Sequence, residues 1–267
     1  VKQKALELGL PVETPLKCRD PEFVQRLRDE EADVILVAAY GQILSEEVLC
    51  ATKRGGINLH ASILPKYRGA APIQRAILNG ETKTGVTLMQ MDKGLDTGDI
   101  IDIARTPIGP DETYGELQER LARMAAELSV KWMPRIVAGE YPRTPQNHEE
   151  ATLAPKVNKE EAQLSFYRSA REEYNRFRAF TPKPGAFLET RFGTLKLLEI
   201  RPLDQQASPG EVIETSPEWV IGFVEGAMSI RKLQPAGKKP MSGKDFVNGA
   251  HIRHGITMLV EHSWEVV

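Results

Sequence analysis

The run DVILVAAY (33–40) is apolar without a break and rich in β-branched residues. It predicts a strand covered on both faces, as strands of parallel sheets are. Ahead of it, PEFVQRLRDEEA (21–32) has apolar side chains at 23, 24 and 27, the spacing of a short amphipathic helix. After it, SEEVLCA reads as a short helix with Ser45 as N-cap, and GGINLHAS as a second apolar strand. APIQRAILNG follows as a helix with Gly80 near its end. TGVTLMQM and DIIDIARTPI are two further β-rich runs. The stretch 111–139 then carries Leu117, Leu121, Met124, Leu128 and Trp132 along one face of a long helix. Strands that alternate with helices predict an open α/β sheet, whose ligands bind beyond the carboxyl ends of the strands.

The texture changes after Gly139. GEYPRTPQNHEEATLAPKVNKEE (139–161) holds three prolines among polar residues and reads as a linker. A helical pattern over 162–180 is stopped by TPKPG. The runs beyond it, AFLETRF, TLKLLEI, EVIET, WVIGFV and MSIRKL, are short, β-like and spaced as in a small barrel. The expected organisation is a first domain over 1–141, a linker over 142–158 and a β-rich domain over 159–267.

Composition narrows the classes. Apolar residues make up 41 % of the 267 residues and charged residues 27 %, ordinary usage for a globular chain. No run approaches the length of a membrane span. Cys18 and Cys50 are the only cysteines, which argues against a disulfide framework or a zinc cluster and suits a reducing compartment. A net charge of −2 predicts no strong overall field for nucleic acid. Yet Met228–Lys244 holds Arg231, Lys232, Lys238, Lys239 and Lys244 and no acidic residue, in what reads as a basic loop.

The candidate chemistry lies at the end of the second strand. Asn58 and His60 are two apart and share a strand face. KGLDTGDI brings Asp96 and Asp99. A carboxylate beside a histidine fixes its tautomer, and an amide can donate to an oxygen that gains charge. The set suits acyl or one-carbon transfer onto an amine. Ser62 lacks the strand-to-helix elbow of a nucleophilic serine, and one histidine with one aspartate is too small a set for a metal. His148, His251, His254 and His262 stand outside any such pattern and read as solvated or structural.

INLHASILPKYRGAAPI, followed by GVTLMQMDKGLDTGDII, resembles the folate-dependent formyltransferase family. That family carries an Asn-x-His-x-Ser-x-Leu-Pro segment and a downstream Asp-rich loop. The matching residues are Asn58, His60, Ser62, Leu64 and Pro65, then Asp96. The resemblance implies a Rossmann-like first domain with a mostly parallel sheet and catalytic Asn58, His60 and Asp96. It implies 10-formyltetrahydrofolate as one-carbon donor and no metal. AAYGQILS matches the segment whose backbone holds the pterin, so Gln42, Ile43 and Leu44 are expected to line that pocket together with Ser62, Leu64 and Pro65. The loop from Asp92 to Asp96 is expected to close its other side. Asp99 is the rival carboxylate.

LQPAGKKPMSGKDFVNG (233–249) and RAFTPKPGAF (178–187) resemble the branch of the family that formylates methionine on initiator tRNA, with Thr181 at a usual Asn. That branch implies a C-terminal OB-like barrel that contacts tRNA, giving the five basic residues a partner in phosphate. Lys66, Tyr67 and Arg68 are either a plain loop or a contact to the tRNA end. His60 either donates to the formyl oxygen or shuttles a proton. The family opens with a strand, a loop and a basic insertion ahead of the helix seen here as KQKALELGL, and restoring such a segment is expected to raise stability and activity. A monomer of the bacterial cytoplasm is implied, with an organellar origin open. The alternatives are another enzyme of formyl-folate or an RNA-binding protein without turnover.

Overall fold

The computed structural model describes residues 1–260, so His262 lies outside the described residues. They form two compact units, one made of residues 1–68, 86–104 and 124–151, the other of 69–85, 105–123 and 152 onward. No described helix is long and apolar enough to cross a membrane.

The first sheet has four strands in the order β1 (Ile35–Val37), β2 (Gly56–His60), β3 (Lys83–Gln90) and β4 (Ile100–Pro107). β1 and β2 are parallel, with Val37 opposite Asn58. β2 and β3 are antiparallel, with His60 opposite Thr87. The sheet is therefore mixed, and its parallel pair sends the loops 38–44 and 61–67 out of the same end. The helices of this half of the chain are α1 (Lys2–Glu7), α2 (Pro21–Asp29), α3 (Glu46–Leu49), α4 (Pro72–Leu78) and α5 (Tyr114–Ala138). On α5 the predicted stripe is buried at Leu117, Leu121, Leu128 and Trp132. The Trp132 indole and Lys131 both donate to Asp102 at 2.7 Å.

Two local expectations change. β1 is shorter than the run 33–40 and not covered on both faces, since Leu36 is 42 % exposed. It is an outer strand of the described sheet, and Ala39 leaves the extended region with φ +48°. The helical pattern over 162–180 yields only α6 (Ala170–Ala179). Ser169 and Glu172 form a reciprocal cap that starts the helix there. The earlier apolar residues serve the sheet: the Leu164 N–H donates to the Phe187 carbonyl, and the Phe166 carbonyl accepts from Val224. Thr181 closes α6 with its hydroxyl on the Phe177 carbonyl at 2.7 Å, and cis prolines follow at 182 and 184.

The second sheet is antiparallel. It is ordered β5 (Phe187–Thr190), β6 (Gly193–Leu203), β9 (Ala227–Pro235), β8 (Trp219–Gly222) and β7 (Val212–Glu214), with β10 (Met241–Ser242) on β9. Irregular register between Leu197 and Ile200 bends the long β6–β9 pair, and such bulges add twist and curl. The curled, OB-like sheet encloses Leu188, Leu195, Trp219, Ile221, Phe223 and Ile230, each at most 1 % exposed. α7 (Gly243–Gly249) adds Phe246, whose ring lies 5.3 Å from that of Trp219. The basic stretch is not one loop: Arg231 and Lys232 lie in β9, Lys238 and Lys239 beside the turn at Gly237, and Lys244 in α7. The turn residues Ala236–Gly237 fold the run into a hairpin, which charge alone does not reveal.

Candidate active site

Asn58 and His60 project from one side of β2 at its carboxyl end. The Asn58 Nδ2 donates to Asp96 Oδ1 at 3.3 Å, and His60 Nδ1 lies 3.5 Å from Asp96 Oδ2. One carboxylate thus serves both side chains. The side chains of His60 and Asp96 are 6 % and 14 % exposed, so the pair is largely shielded from water. The other ring nitrogen, Nε2, sits 2.8 Å from the Tyr67 carbonyl oxygen. A neutral imidazole has a single N–H and satisfies only one of these two oxygens. Asp96 and Tyr67 both have positive φ, +53° and +63°, a region that few side chains enter and that active-site loops often use.

The loops that hold the cluster are tightly bonded. Thr87 Oγ1 donates to the Ser62 carbonyl at 2.7 Å and accepts from the Leu64 N–H at 3.1 Å. Ser62 Oγ donates to the Lys66 carbonyl at 2.7 Å, and the Leu64–Pro65 bond is cis. In the other loop Asp92 Oδ1 accepts from the Gly94 N–H and the Thr97 hydroxyl. Gly98 is glycine for a steric reason, because a Cβ there would run into the Gln90 carbonyl oxygen. Asp99 stands apart from the cluster. Its carboxylate pairs with Arg143 Nε at 3.1 Å and its carbonyl accepts from Gln90.

The remaining expected residues have other neighbours. Gln42 Oε1 accepts from the Cys18 N–H at 2.9 Å, Ile43 is 92 % exposed, and Leu44 is half-buried. Ser62 and Leu64 are buried inside their own loop, while Pro65 is half-buried. Of the basic residues, Arg231 is engaged by Glu218 at 3.1 Å and Glu199 at 3.8 Å. Lys232, Lys238, Lys239 and Lys244 are exposed and make no ion pair among the described residues. Tyr67 and Arg68 are buried rather than lying on an open loop. No group of three or more His, Cys, Asp or Glu among the described residues could hold a metal ion.

Residues 5–137 match the formyl transferase family, and residues 156–251 match the C-terminal domain of formyl transferases. A methionyl-tRNA formyltransferase of Symbiobacterium thermophilum is 44 % identical over 260 residues, which span 96 % of this chain and 80 % of the relative. That of Sorangium cellulosum is 46 % identical over 263 residues, 97 % of this chain and 85 % of the relative. The chain belongs to the formyl transferase family. Solved structures agree on the fold of this formyl transferase. An N-formyltransferase of Helicobacter canadensis, solved with folinic acid and dTDP-3-aminofucose, superposes with a TM-score of 0.66 at 21 % identity. It covers 85 % of this chain and 81 % of its own. HypX of Aquifex aeolicus with tetrahydrofolic acid gives 0.66 at 19 % identity, over 93 % of this chain and 44 % of its own.

Sequence reasoning does not reach Thr87 and Gln146 beside the formyl transferase cluster, and it offers Tyr67 only as a loop residue or tRNA contact. Tyr67 contributes a backbone carbonyl, which has no sequence signature. Thr87 was visible only as a polar residue inside an apolar strand. Gln146 sat in the stretch that composition marks as linker.

Proposed function

We propose that this formyl transferase moves the formyl group of 10-formyltetrahydrofolate onto the α-amine of methionine esterified to initiator tRNA, supporting translation initiation in the bacterial cytoplasm. The observation that carries the reading is the convergence of Asn58, His60 and Asp96 at the end of β2. Methionyl-tRNA as the acceptor is supported by the methionyl-tRNA formyltransferases that are 44 % and 46 % identical to this chain. The site fits a formyl donor, since the Asn58 amide has a second N–H that makes no bond among the described residues.

The donor supplies the formyl carbon. When the amine attacks that carbon, Asn58 donates its N–H to the oxygen that gains charge, a contribution worth about 10²–10³ in rate at such sites. Asp96 holds Nδ1 of His60 and the Asn58 amide on the same carboxylate. The His60–Asp96 pair takes the proton that the amine loses as its bond to carbon forms. It returns that proton to the departing nitrogen. The backbone of 42–44, Pro65 and the turn begun by Asp92 border the pterin, while Ser62 and Leu64 shape the loop behind them. Lys232, Lys238, Lys239 and Lys244 track phosphate on the tRNA. The enzyme works as a monomer, which a solution mass near 29.8 kDa would bear out.

The test is formyl transfer from 10-formyltetrahydrofolate to methionine-charged initiator tRNA, with elongator Met-tRNA and an amino-sugar nucleotide as alternative acceptors. Formyl-methionine on the initiator tRNA is expected. Turnover with the sugar nucleotide alone, or release of formate without acceptor, would replace this reading.

A further inference from the structure

The segment after α5 does not simply lead away from the first unit. Ile100 and Thr144 exchange both backbone hydrogen bonds, at 2.8 and 2.9 Å, in antiparallel pairing. Continuing that register sets Gln146 opposite Gly98. The Gln146 side chain is buried there, at 6 % exposure. Its Nε2 donates to the Asp96 carbonyl and the Gly98 carbonyl, each at 2.8 Å. Its Oε1 accepts from Arg68 Nη2 at 2.6 Å and Arg68 Nε at 3.1 Å. Arg68 is itself 6 % exposed and also donates Nη2 to His148 Nδ1 at 3.1 Å.

These bonds close a ring around the reacting side chains. From His60 the ring runs through Nε2 to the Tyr67 carbonyl, along the chain to Arg68, and across to Gln146. From Gln146 it returns through the Asp96 carbonyl to the Asp96 carboxylate and His60 Nδ1. Two of the non-glycine residues with positive φ, Tyr67 and Asp96, are members of this ring. Such conformations persist only where the surroundings over-determine them. At Asp96 the amide of Gln146 supplies that constraint, and all of its hydrogen-bonding atoms are used in doing so.

We propose that Gln146 is a positioning residue for catalysis, anchored by Arg68. It fixes the backbone of Asp96 so that the carboxylate meets both Asn58 and His60. The proposal rests on the reading that Asn58, His60 and Asp96 carry the formyl transfer. Gln146 touches neither substrate, so its effect falls on kcat through geometry, where a displacement of about 1 Å can cost about 10²-fold.

Gln146→Glu separates the two halves of its role. A carboxylate still accepts from Arg68 but has no N–H for the carbonyls of Asp96 and Gly98. We expect kcat to fall about 10–100-fold, with KM for the formyl donor and for the tRNA changed by less than about threefold. Added to Asp96→Ala, the same change is expected to cost less than about twofold more, because residues that act through one another are not additive. Equal losses in the two backgrounds would overturn the proposal and leave only a general structural defect. Wild-type kcat in Gln146→Glu beside a crippled Asp96→Ala would also overturn it while the catalytic reading stands. Wild-type turnover in Asp96→Ala would remove the catalytic reading itself. If Gln146→Glu does not fold, Gln146→Met, of similar length and without donors, is read in the same cycle by the same criteria.

Discussion

The loops at the end of β2 and the interior of the curled C-terminal sheet are two ways of fixing side chains. Around Asn58, His60 and Asp96 the order comes from hydrogen bonds, many of them to backbone carbonyls, and from two residues with left-handed backbone. Inside the second sheet it comes from close-packed apolar groups such as Trp219, Phe223 and Leu195, all at 0–1 % exposure. The first arrangement sets direction and proton positions but holds little apolar area. The second contributes stability and is indifferent to protonation. The contrast teaches that side chains proposed to carry the chemistry and side chains that fill the core are held by different kinds of force.

Substitutions can break that contrast. The largest effects on turnover belong to His60→Ala and Asp96→Ala, with kcat expected to drop about 10²–10⁴-fold while the melting temperature stays close to wild type. A variant that melts much earlier would place these residues among the stabilising ones instead. Trp219→Ala should do the reverse. It opens a cavity beside Phe246 and should lower unfolding free energy by about 3–5 kcal/mol in a urea titration, with the remaining folded enzyme turning over normally.

Tyr174→Phe tests a polar contact within the second unit. The Tyr174 hydroxyl donates to Asp111 at 2.7 Å and accepts from Arg201 at 2.7 Å. Its bond to Asp111, helped by Arg201, holds that carboxyl below the usual aspartate range. Loss of the hydroxyl should cost about 1 kcal/mol near neutral pH. A carboxylate with a lowered folded pKa contributes stability above its unfolded value, about 3.9, and loses it as pH falls through the folded one. The gap between wild type and Tyr174→Phe should therefore narrow as the solution is acidified below about pH 4, and a gap independent of pH would contradict the assignment. The smallest effects concern tRNA. Lys238→Ala or Lys239→Ala should each reduce the salt slope of tRNA binding by about one. Arg231→Ala should change it less, since Glu218 and Glu199 already engage that guanidinium.

Legibility in the sequence followed the reach of each signal. Asn58 and His60 were readable because alternation along a strand is local. Asp96 was distinguished from Asp99 only by resemblance; the separation is tertiary, with Asp99 drawn to Arg143 and Asp96 to β2. The stripe on α5 is plain, whereas the start of α6 is hidden because Phe166, Ala170 and Tyr174 keep a helical spacing although the Leu164 N–H and the Phe166 carbonyl bond outside the helix. β1 is shorter and less covered than its sequence predicts for a related reason: an apolar run reports a preference for burial, but cover depends on neighbours that lie elsewhere in the chain. Gln146 was invisible, since its partners are carbonyl oxygens and its surroundings in sequence are prolines and charges.

The pairing of Ile100 with Thr144 also decides where this protein can be dissected. The match to the formyl transferase family ends at residue 137, at the close of α5. A fragment cut there would retain Asn58, His60 and Asp96. It would lose the Thr144 bridge to Ile100 and leave the carbonyls of Asp96 and Gly98 without the amide that meets them. A cut that keeps these bonds therefore falls beyond His148, within what composition alone marks as tether.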